Sequence, residues 1–434
     1  MDLTAARRYL DSHINLEATA GWVHGLSLDK MRRLAHVLGD PHQAYPVVHL
    51  TGTNGKGSTA RMVTELLRAA GLSVGTYTSP HLERLNERLA WDGQPISDDD
   101  LADAIGSVAM IEDMAGVTPS YFEILTAAAL RWFADVAVDV AVVEVGLLGR
   151  YDATNIVDAA VAVVTNVGAD HTDRRGDWRH AIASEKAGII KPGSHLVLGE
   201  TSPPLRDVFL AEGPARAWVR DEDFGCTANR LAFGGRLVDL RTPGAEHEDV
   251  FLPVHGAHQG DNAACAMAAA EAFLGAPLSE VVVSEAFGGL TLPGRFEVVD
   301  REPTIVIDGA HNPDGAAAAA ATLTEEFTLS GSVVLVVGML QGRDPVEVLE
   351  LLGARDAGFV VTCTPPSPRA IPAPEVAAAA DKLGAVAEAV PSVLDAIDRA
   401  RALASSDDLI LVTGSLYVVG EARAHLLDHH TGEA

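Results

Sequence analysis

The sequence predicts an α/β protein of two domains, a larger N-terminal one on a parallel sheet and a smaller C-terminal one. Three observations predict it. The chain has 434 residues, too many for one ordinary core. Strand-like apolar runs alternate with Ala-rich helical stretches, as parallel strands joined by crossover helices require. Hydrophobic residues make up 48% and aromatics only 5%, so the apolar mass is mostly Ala, Val and Leu, which suits helices packed on buried parallel strands.

In chain order, VVHL leads into a Gly-rich turn and the helix STARMVTELLRAAG, with Gly71 as its stop. LSVGTYTS reads as a short strand. YFEILTAAALRWFADVAV reads as a helix, DVAVVEVG and AAVAVVTNVG as strands, and HAIASEKAGIIK as a helix. From about 200 to 255 the texture changes to short segments and turns, where antiparallel strands are expected. HQGDNAACAMAAAEAFLGA is strongly helical. TLPGRFEVVD places a boundary near residue 295, dividing the chain into 1–295 and 296–434. Beyond it TIVIDGAHNPDGAAAAAATL, SVVLVVGML, GFVVTCT and DLILVTGSLYVVG again alternate with helices.

The formal net charge is −28. Such a chain repels nucleic-acid phosphates and anionic lipid heads, so neither partner is expected. Any anionic small molecule must be met by local cations, metals or helix N-termini. Cys226, Cys265 and Cys363 lie far apart, against a disulfide framework or a cysteine zinc site. The start has no apolar core of signal-peptide length, and the apolar runs are interrupted, so a cytoplasmic protein is expected.

LTGTNGKGSTA carries the strongest chemistry. A strand enters it, and Gly52, Gly55 and Gly57 let the backbone turn tightly around an anion. A helix expected from about Ser58 turns its free N–H groups to the phosphates. Thr53 and Asn54 complete the turn, Lys56 neutralises phosphoryl charge, and Ser58 or Thr59 offers a hydroxyl to Mg²⁺. The pattern differs from the usual G-x-x-x-x-G-K-[ST]: Leu50 stands at its first Gly, and Gly57 separates Lys56 from Ser58.

Other residues gain interest from their position. Glu144 ends an apolar strand, at the crevice where α/β proteins bind ligands; a Mg²⁺ ligand and a solvated edge carboxylate are both consistent with that. His171 follows a second such strand beside Asp170. Arg295 sits at the expected hinge, within reach of phosphate from either domain. Asp308, His311 and Asn312 follow a strand of the second domain and are expected to face the nucleotide when the domains close, although Asp308 also suits a turn cap.

TGTNGKGST is similar to the loop of the Mur ligase superfamily. TYTSPHLERLNER, YFEILTAAAL, VVEVGLLGRYDATN, DHTDRRGD, SEKAGIIKPG, LPGRFEVV and DGAHNPDG follow in an order and spacing that resemble the folylpolyglutamate synthase/dihydrofolate synthase family, over about residues 30 to 420. The resemblance implies a P-loop-type ATPase domain and a smaller Rossmann-like domain. It implies an ATP-dependent ligase: a pteroate or folate carboxylate is phosphorylated, and the amine of L-glutamate attacks the acyl phosphate. Expected partners are ATP, L-glutamate and dihydropteroate or a reduced folate; one or two Mg²⁺ ions serve as cofactors, and the protein is expected to be a monomer.

By the same resemblance Ser58, Ser79, Glu144, His171 and Lys186 hold metal, Lys186 as a carbamate. Asn262 joins the loop, Arg295, Asp308 and His311 around the nucleotide, and a neutral amide suits a purine edge. Lys56, His171, Lys186, Arg295, Asp308 and His311 form the catalytic set. SPHLERLNERL lies where the family binds pterin, so Ser79, His81, Arg84 and Arg88 are substrate candidates; exposed helix charges are the alternative for the arginines. Arg369, in TPPSPRAIPAPE, matches a family segment without an assigned role. Three places depart from the family pattern: Leu148 where Gly is expected, Arg174 and Arg175 where uncharged residues are, and VGMLQGRD. They leave open a relative acting on another acid or pteridine; a cell-wall Mur ligase is a rival disfavoured by the short stretch of about 46 residues before the first motif strand, and a nucleotide-binding module without ligation one disfavoured by the second α/β domain.

Overall fold

The computed structural model describes residues 1–15, 17, 27–170, 172, 174–328 and 330–431. The strands are β1 (Val47–Thr51), β2 (Val74–Tyr77), β3 (Leu89–Trp91), β4 (Gln94–Pro95), β5 (Val140–Glu144), β6 (Val161–Val164), β7 (His195–Leu198) and β8 (Arg216–Val219) in one sheet. Its order is β4-β3-β2-β5-β1-β6-β7-β8. The pairs from β2 to β8 are parallel, and the β2–β3 and β3–β4 pairs are antiparallel. β1, β5 and β6 are buried along their whole length because helices cover both faces, which is why they read as unbroken apolar runs. One face packs on helices Lys56–Ala69 and His258–Leu274, the other on Asp98–Ala115 and Tyr121–Asp135.

β9 (Gly225–Ala232), β10 (Gly235–Arg241) and β11 (Glu246–Leu252) form a separate antiparallel sheet, as the change of texture predicts. The last sheet, β12 (Glu297–Arg301), β13 (Thr304–Ile307), β14 (Val333–Val337), β15 (Phe359–Thr362), β16 (Ala387–Ala389) and β17 (Leu409–Thr413), has the order β12-β13-β17-β14-β15-β16. Only its β12–β13 pair is antiparallel.

Local chemistry explains the boundaries. Ser120 and Glu123 close a capping box on helix Tyr121–Asp135, satisfying two backbone donors there. The loop helix begins at Lys56, two residues earlier than expected, because Gly55 takes a left-handed conformation (φ 81°) that completes the turn as its N-cap. In DLILVTGSLYVVG the strand stops at Thr413 and helix Leu416–Thr431 begins. Among the described residues no helix is long and apolar enough to cross a membrane.

Candidate active site

The carboxyl ends of β1, β5 and β6 open on one crevice, and the loop after β13 faces them from the second sheet. The phosphate loop is braced from β6. Asn166, just past that strand, accepts the amides of Thr53 and Asn54 on its side chain (3.2 and 2.9 Å), while Thr165 Oγ1 donates to the Asn54 carbonyl at 2.6 Å. A Cβ on Gly52 would lie 1.8 Å from Thr165 Oγ1, and one on Gly55 would lie 2.4 Å from Asn262 Oδ1. Glycine is therefore the only residue that fits at either place. Lys56 Nζ donates to the Gly52 and Thr53 carbonyls (3.1 and 3.2 Å), and Ser58 and Thr59 are buried at the helix start.

Glu144 pairs in register with Leu50, one strand from the loop. Its carboxylate lies 3.6 Å from where a Gly57 Cβ would stand and accepts the Ser79 amide at 3.3 Å. Burial raises its pKa, while Lys56, the Ser79 amide and Arg295 oppose that. Lys186, on helix Trp178–Ala187, is buried too. Desolvation, with Lys56 nearby, holds its pKa well below the usual lysine range, and its amine makes no hydrogen bond or ion pair among the described residues. Glu144 thus meets the Ser79 backbone beside Gly57, next to Ser58 in the chain, and Lys186 lies within electrostatic reach of Lys56. The fifth expected metal ligand, His171, lies outside the described residues. Among those described, no group of three or more His, Cys, Asp or Glu side chains is placed to hold a metal. A single buried carboxylate beside hydroxyls fits Mg²⁺, which keeps several waters of its own.

The second domain reaches this crevice directly. Asn312 caps helix Pro313–Glu326 through Gly315 N and donates its Nδ2 to Asn54 Oδ1 at 2.9 Å. Asp314 accepts the Ala169 amide at 3.3 Å. His311 Nδ1 lies 2.8 Å from the Gly309 carbonyl, so that nitrogen carries the proton, and Nε2 points to Asp170 at 3.6 Å. Arg343 donates to the same Asp170 at 2.9 Å. Asp308 sits at the crevice, but its oxygens take the Phe296 and Ala310 amides, each at 2.9 Å, so it holds the linker and the loop together as a turn cap does. The Arg295 guanidinium lies against Gly309, where a Cβ would meet it at 2.5 Å. Asn262 donates to Gln259 at 2.9 Å and packs on Gly55.

The substrate candidates divide. Arg84 is exposed and pairs with Asp98 at 2.9 Å, the surface-charge alternative. Arg88 is buried under Tyr121, binds Glu17 through two bonds (2.8 and 2.7 Å) and donates from Nε to His81 Nδ1 at 3.0 Å. Any substrate carboxylate must compete with Glu17 for this guanidinium.

Asn166, Asp170, Glu17 and Arg343 are site residues the sequence reading did not single out. Only Asn166 has a local signal, an amide directly after an apolar strand. Two of the departures have a backbone meaning. Leu148 and Arg174 both have positive φ (60° and 56°), a conformation glycine adopts without strain. Leu148 packs on Ile182 and its neighbours, and its carbonyl accepts from Thr51 Oγ1 at 2.6 Å. Arg174 reaches across to Glu347 at 2.6 Å.

Residues 50–270 match the Mur ligase middle domain, and residues 294–416 match the Mur ligase glutamate ligase domain. The dihydrofolate synthase/folylpolyglutamate synthase of Mycobacterium tuberculosis is 38% identical, over 92% of this chain and 89% of its own. That of Bacillus subtilis is 32% identical, over 93% and 97%. The M. tuberculosis folylpolyglutamate synthase complexed with ADP superposes with a TM-score of 0.91 at 37% identity, covering 98% of each chain. E. coli FolC in complex with DHPP and ADP gives 0.87 at 31%, covering 99% of each. The chain therefore belongs to the Mur ligase family and, within it, to the folylpolyglutamate synthase/dihydrofolate synthase branch of ATP-dependent, amide-bond-forming ligases.

Proposed function

We propose that this enzyme adds L-glutamate to dihydropteroate, to reduced folates, or to both, through an acyl phosphate. The observation that carries the reading is the Asn54–Asn312 bond: the second domain lands on the phosphate loop itself, as a ligase needs if it is to assemble its site from two halves. Residues 1–295 are the nucleotide and acid domain, and 296–434 supply glutamate. A cytoplasmic monomer is the working form.

A carboxylate is a poor electrophile. Its oxygen attacks the γ-phosphorus of ATP, the bond to ADP breaks, and the resulting acyl phosphate has a good leaving group. Residues 52–59 cradle the phosphates with backbone N–H groups, and Lys56 leaves its loop carbonyls to neutralise developing charge. Arg295, Asp308, His311 and Asn262 frame the nucleotide. Mg²⁺, when bound, offsets charge on the transferring group, and Ser58, Ser79, Glu144, His171 and Lys186 would hold it. Lys186 fits as a carbamate: a buried amine beside Lys56 is costly as a cation and costs less as a hydrogen-bonding anion with metal beside it.

The glutamate amine then attacks the acyl carbon, phosphate leaves, and the amine loses its proton to solvent or phosphate. Arg343 and Arg369 suit the glutamate carboxylates. Among the described residues the Nε atoms of both are buried without a hydrogen-bond partner, and Arg369 is pushed below its ordinary pKa by burial and by Arg343 beside it. On the other side, His81, Arg88 and Ser79 line the acid site.

The test is glutamate-dependent ADP release with Mg²⁺-ATP and dihydropteroate, tetrahydrofolate or neither. Release with dihydropteroate alone marks a dihydrofolate synthase. Release with tetrahydrofolate alone marks tail extension, and release with both marks a bifunctional enzyme. No stimulation by either acid overturns the folate reading.

A further inference from the structure

The small antiparallel sheet has no part in the chemistry above, yet it grips the helix that brings the second domain to the phosphate loop. Helix Pro313–Glu326 has 14 residues, so it spans about 21 Å. Its first end meets the N-terminal domain through Asn312–Asn54 and Asp314–Ala169. Its last turn meets the same domain again. Arg236 of β10, 1% exposed, donates to Glu326 Oε1 at 2.5 Å and to Glu325 Oε1 at 3.1 Å. Gly256 N donates to Glu326 Oε1 at 2.7 Å, and His255 Nδ1 lies 2.7 Å from its other oxygen. Glu326 is 3% exposed.

Arg236 also joins this helix to a second one. Its Nε donates to Asn229 Oδ1, and Asn229 Nδ2 donates to the carbonyl of Ala257 at 2.8 Å. Ala257 is the N-cap of helix His258–Leu274, which carries Asn262 against Gly55. One buried guanidinium therefore sits where the helix behind Asn262 and the helix behind Asn312 come together. A helix is stiff, and a buried pair of opposite charges with its remaining bonds satisfied holds a narrow geometry. A shift of about 1 Å at a reacting group far from the altered residue can cost on the order of a hundredfold in rate.

We propose that Arg236 is a positioning residue for catalysis: through Glu326 it fixes helix Pro313–Glu326 so that Asn312 and Asp314 seat on the phosphate loop and on Ala169. It acts from the far end of that helix, about 21 Å long, and not on the substrates themselves. The inference rests on the ligase reading, and wild-type turnover under the same assay is the control for that reading. If the wild type is active, the outcome for Arg236 stands on its own.

The test compares Arg236→Lys, Glu326→Gln and Glu325→Gln with the wild type, each scored as folded at the assay temperature by near-UV circular dichroism. Steady-state kcat, KM for ATP and KM for glutamate are measured beside the direct binding of ADP. Glu326→Gln is expected to lower kcat at least tenfold while ADP binding changes less than threefold, because the phosphate loop itself is intact. Arg236→Lys keeps the charge but loses the fork, and should fall between Glu326→Gln and wild type. Glu325→Gln, at the solvated partner, should stay within twofold. A cycle with Asn312→Ala should be non-additive, since both changes act through one helix. Full kcat in folded Glu326→Gln, or strict additivity with Asn312→Ala, would overturn the proposal and leave Arg236 a stability residue only.

Discussion

The two domains touch at a back and a front, and the contacts are built differently. At the back, Arg236 and Glu326 are 1% and 3% exposed, and their polar atoms are answered by Glu325, Asn229, His255 and Gly256. At the front, Arg174 and Glu347 are 40% and 35% exposed, while Arg343–Asp170 beside the crevice is largely covered, at 10% and 13%. A buried pair costs several kcal/mol to break by removing one partner, whereas an exposed pair contributes about 0–1 kcal/mol. The back can hold through a catalytic cycle while the front opens and closes around substrates. The largest expected effect follows. Glu326→Ala strands a buried guanidinium and should lower stability by about 3–5 kcal/mol, read as a shift in the urea midpoint of the second transition or of the whole molecule. A shift below about 1 kcal/mol would make back and front equivalent.

The front carries the next effect, and it should appear in kinetics as well as in stability. Arg343→Met removes one of the two arginines proposed for the glutamate site and takes one cation from Asp170. A lost charge-assisted bond is worth about 1.5–3 kcal/mol, so KM for glutamate should rise roughly ten- to a hundredfold. The urea midpoint should fall too, since the pair is only 10% and 13% exposed, so the glutamate KM is the readout that tests the site role. An unchanged KM for glutamate would remove Arg343 from that site.

These contacts also mark where the sequence stops speaking. The phosphate loop was legible because strand, glycines and helix are consecutive; for Glu144 the residue pattern left a metal ligand and a solvated edge carboxylate equally open, and the structure buries the carboxylate. Parallel pairing in the two larger sheets followed from alternation, whereas the strand order and the antiparallel edges at β3, β4 and β12 did not. The helix start was misplaced by two residues because the conformation of Gly55 is not visible in its identity. Arg236–Glu326 and Arg343–Asp170 join residues 90 and 173 positions apart, so no local pattern announces them. Glu17 was invisible for the same reason, and it is the residue that qualifies Arg88.

Acid should separate the regions by about 1 kcal/mol. His81 is held down to about 4 by burial and by the Arg88 guanidinium donating to its Nδ1. The unfolded chain takes up that proton near its ordinary 6.5 and the folded one does not, so stability is full above 6.5 and falls as pH drops towards 4. The loss is about 1 kcal/mol by pH 5.5. Glu326 changes stability in the same direction but in a lower pH window. Burial raises it, but the His255, Gly256 and Arg236 donors prevail and hold it below its usual value. Its contribution is present above 4.5 and is lost only as pH falls through the lowered value. Urea midpoints at pH 7.5 and 5.5 should drop for the wild type and drop less for His81→Gln. Equal drops would show that His81 is not the group responsible.

The smallest effect is expected at Arg174, where two terms oppose. Its positive φ costs about 1 kcal/mol, which Arg174→Gly relieves. The same change loses an exposed pair with Glu347 worth about 0–1 kcal/mol, and loosens the unfolded chain by about 0.5–1 kcal/mol. The sum is near zero, so the urea midpoint and kcat of Arg174→Gly should match the wild type within error and within twofold. A fivefold fall in kcat at unchanged stability would mean that this exposed pair is spent on closing the front. The arginine standing where the family has an uncharged residue would then be a feature of this enzyme's own cycle, and Glu347→Gln should reproduce the fall without touching the backbone.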